Sequence, residues 1–260
     1  MDKIGLGIIT CNRPDFFKKC YDSIPKEKIH ELVVINDGND IQFNYDTHYI
    51  KNDKNIGVGA SKNKALKYLL DKKCDYLFLI EDDIMVSNAN VFNEYIRYIE
   101  KTGIHHLMYG YHGPANKING KPRPRIVIDY GDNVNLALNY HCVGAFCVYS
   151  SQLLKDIGLF DEKFLNAWEH IDHSYQAIKK GYLPGYWWWP DIQDSYNYLQ
   201  EQACSEVSSA IRPRADWKQN IKDGADYFIT KHSALPWTVT DINEKTVVNN
   251  LREIKKHRTI

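Results

Sequence analysis

Three consecutive carboxylates, Glu81-Asp82-Asp83, follow the apolar run Tyr76-Leu77-Phe78-Leu79-Ile80. Side by side they repel one another unless a cation binds them. A divalent cation bridging them to a diphosphate removes that repulsion, and hard oxygen donors suit Mg²⁺ or Mn²⁺. Such a cation also neutralises charge building on a departing diphosphate. A solvated acidic turn is the plain alternative. The position directly after a strand, in a chain that alternates strands and helices, weighs against it.

A second cluster is Trp168-Glu169-His170-Ile171-Asp172-His173. On a helix, Glu169, Asp172 and His173 share a face, while Ile171, Tyr175 and Ile178 mark an apolar one. A carboxylate here can take a proton from an attacking hydroxyl. His170 and His173 raise a zinc site, but no matching Cys or third spaced His accompanies them. The bland reading is a helix start with acids at its N-terminus. Asp37 lies between the run Leu32-Val33-Val34-Ile35 and Gly38. It can accept from a base or a ribose, or be an ordinary Asp-Gly turn. Asn55-Ile56-Gly57-Val58-Gly59 opens a helical pattern, where backbone N–H groups and glycines allow close approach of an anion. The segment lacks the Lys-Ser/Thr ending of a P-loop and the third glycine of a dinucleotide fingerprint.

These residues need a scaffold, and the surrounding pattern supplies one. Residues 3–10, 31–36, 75–80 and a short stretch at Tyr49-Ile50 read as strands. Residues 14–23, 58–70 and 91–100 read as helices, with Ala65, Leu66, Leu69 and Leu70 inward and Lys62 and Lys67 elsewhere. This alternation predicts a mainly parallel sheet with helices on both faces. Ligands of such sheets sit beyond the carboxyl ends of the strands. Thr10-Cys11-Asn12-Arg13, Asn36-Asp37-Gly38, Lys54-Asn55-Ile56-Gly57 and the acidic triplet therefore converge at one edge. Residues 110–124 read as a Gly/Pro loop, 125–130 and 141–149 as strands, and 150–156 and 169–180 as helices. Residues 182–214 read as aromatic and irregular, including Trp187-Trp188-Trp189. A helix from Asp241, with Glu244 in a capping box, ends the chain.

Lys plus Arg and Asp plus Glu number 33 each. This balance argues against nucleic acid as the main partner. The six cysteines form no CxxC pair and read as reduced, mostly buried thiols. The first apolar run is too short for a secretory signal, and no run approaches a membrane span. A cytoplasmic protein is expected, with peripheral membrane contact left open.

Taken in order, these segments resemble the family 2 glycosyltransferases of the GT-A fold. Ile8-Ile9-Thr10-Cys11-Asn12-Arg13-Pro14 is similar to the family's first strand and loop, with Cys11 in place of an aromatic. Asn36-Asp37-Gly38 resembles its uracil-binding Asp-Asp-Gly turn, and Asn55 to Asn63 its Asn-x-Gly…Ala-x-Asn segment. Glu81-Asp82-Asp83 stands where the metal-binding Asp-x-Asp belongs. Gly144-Ala145-Phe146 through Gly158-Leu159-Phe160-Asp161-Glu162-Lys163-Phe164 resembles the acceptor-side segment. The resemblance covers about residues 4–183 and implies an α/β, Rossmann-like GT-A domain over 1–214. Residues 215–260 would be a C-terminal extension packed on it.

The resemblance further implies a nucleotide-sugar donor, a UDP-sugar, and a glycan or glycoconjugate acceptor, joined with inversion in the presence of Mn²⁺ or Mg²⁺. Thr10, Asn12, Arg13, Asp37, Asn55, Gly57, Asn63, Glu81 and Asp82 would hold the donor. Asp83 and Asp82 would hold the metal, with His232 as a third-ligand candidate. The family's usual Glu-Asp at the base position is Glu169-His170 here. Glu169 is the first candidate base, Asp172 the second, and His170 a third. A nucleotidyltransferase would need a Gly-rich basic loop after the first strand, which Thr10 to Pro14 lacks. A degenerate glycan-binding protein is the non-enzymatic alternative.

Overall fold

The computed structural model describes residues 2–42, 44, 46–185, 188–202, 209, 212–235 and 243–257. β-Branched and aromatic runs set its strands. The run at the start is β1 (Ile4–Thr10), buried throughout. Pro14 then starts α1 (Pro14–Ser23), where its missing N–H is no loss. β2 (Glu31–Asn36) and β3 (His48–Lys51) follow, then α2 (Val58–Asp71) and β4 (Tyr76–Glu81). After the short β5 (Ile84–Val86), α3 (Val91–Thr102) ends at Gly103, whose φ of 72° is the left-handed cap glycine favours.

The middle of the chain holds β6 (His106–Met108), the small hairpin β7 (Lys117–Ile118) and β8 (Lys121–Pro122), then β9 (Ile126–Asp129), β10 (Asn135–Asn139) and β11 (Phe146–Ser150). Next come α4 (Ser151–Ile157), α5 (Glu169–Lys179), β12 (Trp189–Ile192) and β13 (Leu199–Glu201). The chain closes with α6 (Trp217–His232) and α7 (Glu244–His257).

The main sheet has the order β3-β2-β1-β4-β11-β6. β1 pairs in parallel with β2 on one side and β4 on the other, while β11 runs antiparallel to both β4 and β6. The chain leaves β1 towards β2 and β3, then returns to the opposite side of β1 as β4. That reversal opens a crevice between the carboxyl ends of β1 and β4, where open α/β sheets bind ligands. The register pairs Ile9 with Glu81 and Thr10 with Asn36, so the four polar segments meet there. Helices cover both faces, and the strands are accordingly apolar on both sides. Leu6, Ile8, Val33, Val34, Leu77, Phe78 and Ile80 are fully buried.

Several elements differ from the sequence reading. Residues 141–145 are loop, and the strand begins at Phe146. The short β10 was not expected; it is held between β9 and β12. β12 and β13 lie within the stretch read as irregular, β13 pairing with β5 beside the acidic turn. Lys62 is buried, not a surface lysine of α2. On α5 the polar residues Glu169, Asp172, His173 and Ser174 are buried, while of the expected apolar face Tyr175 is buried and Ile171 and Ile178 are half-buried; α6 covers Asp172 through Lys231 and His232. Tyr186, Trp187, Cys204 and Asp241 lie outside the described residues. The other five cysteines are free thiols. Among the described residues, no helix is long and apolar enough to cross a membrane.

Candidate functional site

The acidic turn is built from β4 outward. Glu81 ends the strand, and the Asp82 N–H donates to the Ile9 carbonyl of β1 (3.1 Å), anchoring the turn across the crevice. The Asp82 carboxylate is fully buried and accepts from Thr10 Oγ1 (2.7 Å) and from the Arg13 guanidinium. Arg13 also donates to Asp83 Oδ2 (3.1 Å). Burial pushes the Asp82 carboxyl up, to about 7, against the pull of Arg13 and Thr10. Gln202 pins the turn from behind: its N–H donates to the Asp83 carbonyl (2.7 Å) and its Nε2 to the Asp82 carbonyl (2.8 Å). No motif in the sequence marks Gln202; its role comes from β13 pairing with β5.

Asp37, after β2, organises the opposite wall. Its carboxylate accepts from the N–H groups of Ile56 (2.8 Å) and Gly57 (2.9 Å). It also accepts from Asn52 Nδ2 (2.8 Å) and Asn55 Nδ2 (2.9 Å). These donors hold the loop that leads into α2. Gly57 has φ of 89°, a backbone state that disfavours any side chain.

The third part comes from α5. Glu169 is the first residue of the helix, next to Trp168, whose φ of 73° is unusual for a bulky residue. Asn166, with φ of 57°, shares this strained rim. Glu169 Oε1 lies 3.0 Å from His170 Nδ1 and 3.6 Å from Lys62 Nζ, while Glu169 Oε2 is buried with no hydrogen-bond partner. Burial alone would raise this carboxyl, but His170 beside it and Lys62 behind it hold it down, at about 2. Lys62 also donates to Glu81 Oε1 (2.8 Å) and to the Gly144 carbonyl (3.1 Å). The sequence reading missed Lys62, since a helix lysine ordinarily points to water.

These parts surround one cavity of about 1090 Å³, ample for a nucleotide with a sugar attached. Thr10, Arg13, Asp37, Asn55, Glu81, Asp82, Asp83, Glu169 and His170 all line it. His112, Lys117, Glu201, Arg212, Arg214 and Trp217 also line it. Other residues singled out in the sequence stand elsewhere. Asn12 turns away, its Oδ1 accepting from the Asn39 N–H (2.7 Å). Gly57 acts through its N–H on Asp37. Asn63 clamps the following segment by exchanging hydrogen bonds with Phe160 and donating to Glu162. Asp172 faces α6, bound by Lys231 Nζ (2.9 Å) and His232 Nε2 (2.7 Å). His232 is thereby tied to Asp172 and packed against Tyr175 and Phe228, and neither it nor Asp172 lines the cavity.

The donor set can be tested against a divalent cation. Among the described residues, no group of three or more His, Cys, Asp or Glu is arranged to hold a metal alone. Asp83 Oδ1, however, is buried and without a partner, and His112 Nε2 stands 3.9 Å from Asp83 Oδ2. One unpartnered carboxylate oxygen on a residue that lines the cavity fits an ion that takes most of its ligands from phosphate and water, as Mg²⁺ commonly does.

Comparison with known proteins agrees with this geometry. The family described as glycosyl transferase family 2 matches residues 6–158. An uncharacterized glycosyltransferase of Acanthamoeba polyphaga mimivirus is 30% identical over 192 residues, covering 72% of this chain and 70% of that protein. The solved structure of S. aureus TarS 1–349 aligns over 97% of this chain and 70% of that chain, with a TM-score of 0.56 and 16% identity. The same protein has been solved in complex with UDP. GalNAc-T7 with UDP, GalNAc and Mn²⁺ aligns over 99% of this chain and 56% of that one, with a TM-score of 0.54 and 12% identity. At such identities the structures speak for the fold, which is GT-A. With the crevice at the β1/β4 reversal, the acidic turn after β4 and the family match together, the chain belongs to glycosyl transferase family 2 and is a glycosyltransferase.

Proposed function

We propose that the chain transfers a sugar from a UDP-sugar to a hydroxyl of a glycan or glycoconjugate acceptor, with inversion and with a divalent cation on Asp83. The observation that carries this reading is a pair of buried, partnerless carboxylate oxygens, Asp83 Oδ1 and Glu169 Oε2, on residues lining one cavity. One suits a cation at the donor diphosphate and the other suits a proton from the acceptor. UDP as the donor nucleotide is supported by the UDP held in TarS and GalNAc-T7, and Mn²⁺ by its presence with the latter.

In this reading Thr10 and Arg13 fix Asp82, and Gln202 holds the turn so that Asp83 faces the diphosphate. A bound Mn²⁺ or Mg²⁺ would stabilise negative charge on the leaving diphosphate. The acceptor hydroxyl oxygen bonds to the anomeric carbon as the carbon–oxygen bond to the diphosphate breaks. Its proton passes to Glu169 Oε2. A carboxyl held at about 2 is ionised at any pH near neutral and so is ready to accept. A weak base suffices because the hydroxyl becomes acidic as its oxygen bonds to carbon. Asp172 is unsuited to this step, since Lys231 and His232 occupy it. Residues 215–260 act as an extension of a domain spanning 1–214, and Trp217 of the extension lines the cavity.

The test is a thermal-shift panel of UDP, GDP, CMP and dTDP, each with Mn²⁺, Mg²⁺ or EDTA. A ligand bound only by the folded chain raises the melting temperature. The reading predicts a shift with UDP that needs Mn²⁺ or Mg²⁺. A shift with another nucleotide replaces the donor, and none with any nucleotide points to a binding protein that has kept the fold.

A further inference from the structure

Lys62 is a cationic side chain with 2% exposure in the middle of a helix, under the floor of the cavity. A buried ammonium is sustained only by close counter-charges and hydrogen bonds. Its partners come from three other elements: Glu81 Oε1 from β4 at 2.8 Å, the Gly144 carbonyl from the loop before β11 at 3.1 Å, and Glu169 Oε1 from α5 at 3.6 Å. Two glycines leave the room this needs. A Cβ on Gly144 would stand 3.1 Å from Lys62 Nζ and 3.3 Å from His170 Cγ, and one on Gly59 would stand 3.2 Å from Glu169 Cβ.

The arrangement has a chemical consequence for Glu169. Lys62 from α2 and His170 from its own helix both approach Oε1. Glu81 stands behind Lys62, and the nearby thiols Cys142 and Cys147 are pushed up by burial and stay neutral. The Lys62 ammonium and the His170 ring therefore both sit on one oxygen and leave Oε2 as the unpartnered acceptor.

We propose that Lys62 is a positioning residue for the transfer reaction: its buried ammonium ties Glu81, at the end of the strand carrying the donor-side acids, to Glu169, and fixes which oxygen of Glu169 is left to accept the proton. This rests on Glu169 acting as the base. Lys62 touches neither donor nor acceptor in this role. It links the acidic turn and α5 into one rigid unit, so the two halves of the site keep their spacing.

The test follows the carboxyl carbon of Glu169 by NMR in the full chain with ¹³C-labelled glutamate, its signal assigned by its absence in Glu169→Gln. In the wild-type protein the carboxyl should remain ionised down to pH 4, below the ordinary glutamate value of 4.5. Lys62→Met removes the charge at nearly constant length, and the carboxyl should then titrate higher by at least about one pH unit. Lys62→Arg keeps the charge and should restore the low titration. If Lys62→Met fails to fold, Lys62→Met with Glu81→Gln removes the buried pair together and reads the same carbon. A Glu169 titration no higher in the Met variants than in the wild type would overturn the proposal. UDP with Mn²⁺ in the thermal-shift panel reports separately on the donor reading, so the two can fail independently.

Discussion

Gly224 lies in the middle of α6, where helix propensity alone favours alanine by about 0.8–1 kcal/mol. The structure reverses that expectation. A Cβ at position 224 would stand 2.6 Å from Trp168 Cδ1 and 3.0 Å from Trp168 Cγ. The indole cannot yield freely, because Trp168 is held in a left-handed backbone state and its ring packs 5.5 Å from Phe228. Overpacking of this kind costs about 1–3 kcal/mol. Set against the propensity gain, Gly224→Ala should destabilise by up to about 2 kcal/mol. In a chain of this size each kcal/mol is worth about 2–4 °C of melting temperature. A double-mutant cycle isolates the contact. In a Trp168→Ala background the same change should stabilise, since only the propensity remains. The assay is thermal and urea unfolding of the four proteins. Gly224→Ala stabilising both backgrounds equally would refute the contact, and with it the packing of α6 against the residue that precedes Glu169.

Further outcomes follow from buried polar groups. His173 is buried among aromatic rings and pushed down to about 4 from 6.5, so its contribution is fully present above pH 6.5 and is lost as pH falls towards 4. The difference in unfolding free energy between wild type and His173→Gln should therefore shrink over that window, by up to about 1.4 kcal/mol per pH unit. A difference independent of pH would contradict the neutral burial of this ring. Tyr95→Phe removes a 2.7 Å hydrogen bond to the fully buried Asp191, and should cost about 1.5–3 kcal/mol in urea unfolding. Asp191 keeps Gly110, Ile192 and Ser195 as donors, so the fold should survive. Asp172→Asn leaves Lys231 and His232 facing a neutral amide and should lower the melting temperature while UDP binding persists. Loss of UDP binding with unchanged stability would place Asp172 in the donor site instead.

The sheet was legible where its signals were local. Leu32-Val33-Val34-Ile35 and Tyr76 to Ile80 can only be buried strands between turns, and the polar segments after them meet where the strand order reverses. Asn135-Leu136-Ala137-Leu138-Asn139 gave no such signal. It is short, is closed by asparagines and depends on β9 and β12 for its pairing. The helix at Trp217–His232 was hidden by an interior glycine and a weak apolar stripe, because it packs through a few side chains on Trp168, Phe164 and Tyr175 and is otherwise tied by polar contacts to Asp161 and Asp172. The acidic turn, Thr10, Arg13 and Glu169 could be singled out because they stand at strand ends or open a helix, and all of them line the cavity. Lys62, Gln202 and His112 could not be. Each joins the site through contacts with distant segments of the chain, which spacing does not encode. His232 shows the converse. Sequence order made it a candidate ligand, but α6 delivers it to Asp172.

The central claim is that a cation on Asp83 holds the donor diphosphate. Calorimetric titration of UDP into wild type and Asp83→Ala, each with Mn²⁺ and with EDTA, tests it most directly. The account predicts that Mn²⁺ tightens UDP binding at least about tenfold in the wild type, a difference of about 1.4 kcal/mol. In Asp83→Ala that gain should vanish, leaving weak binding that is the same with EDTA. Mn²⁺-dependent tightening retained in Asp83→Ala would contradict the account and place the cation on other residues.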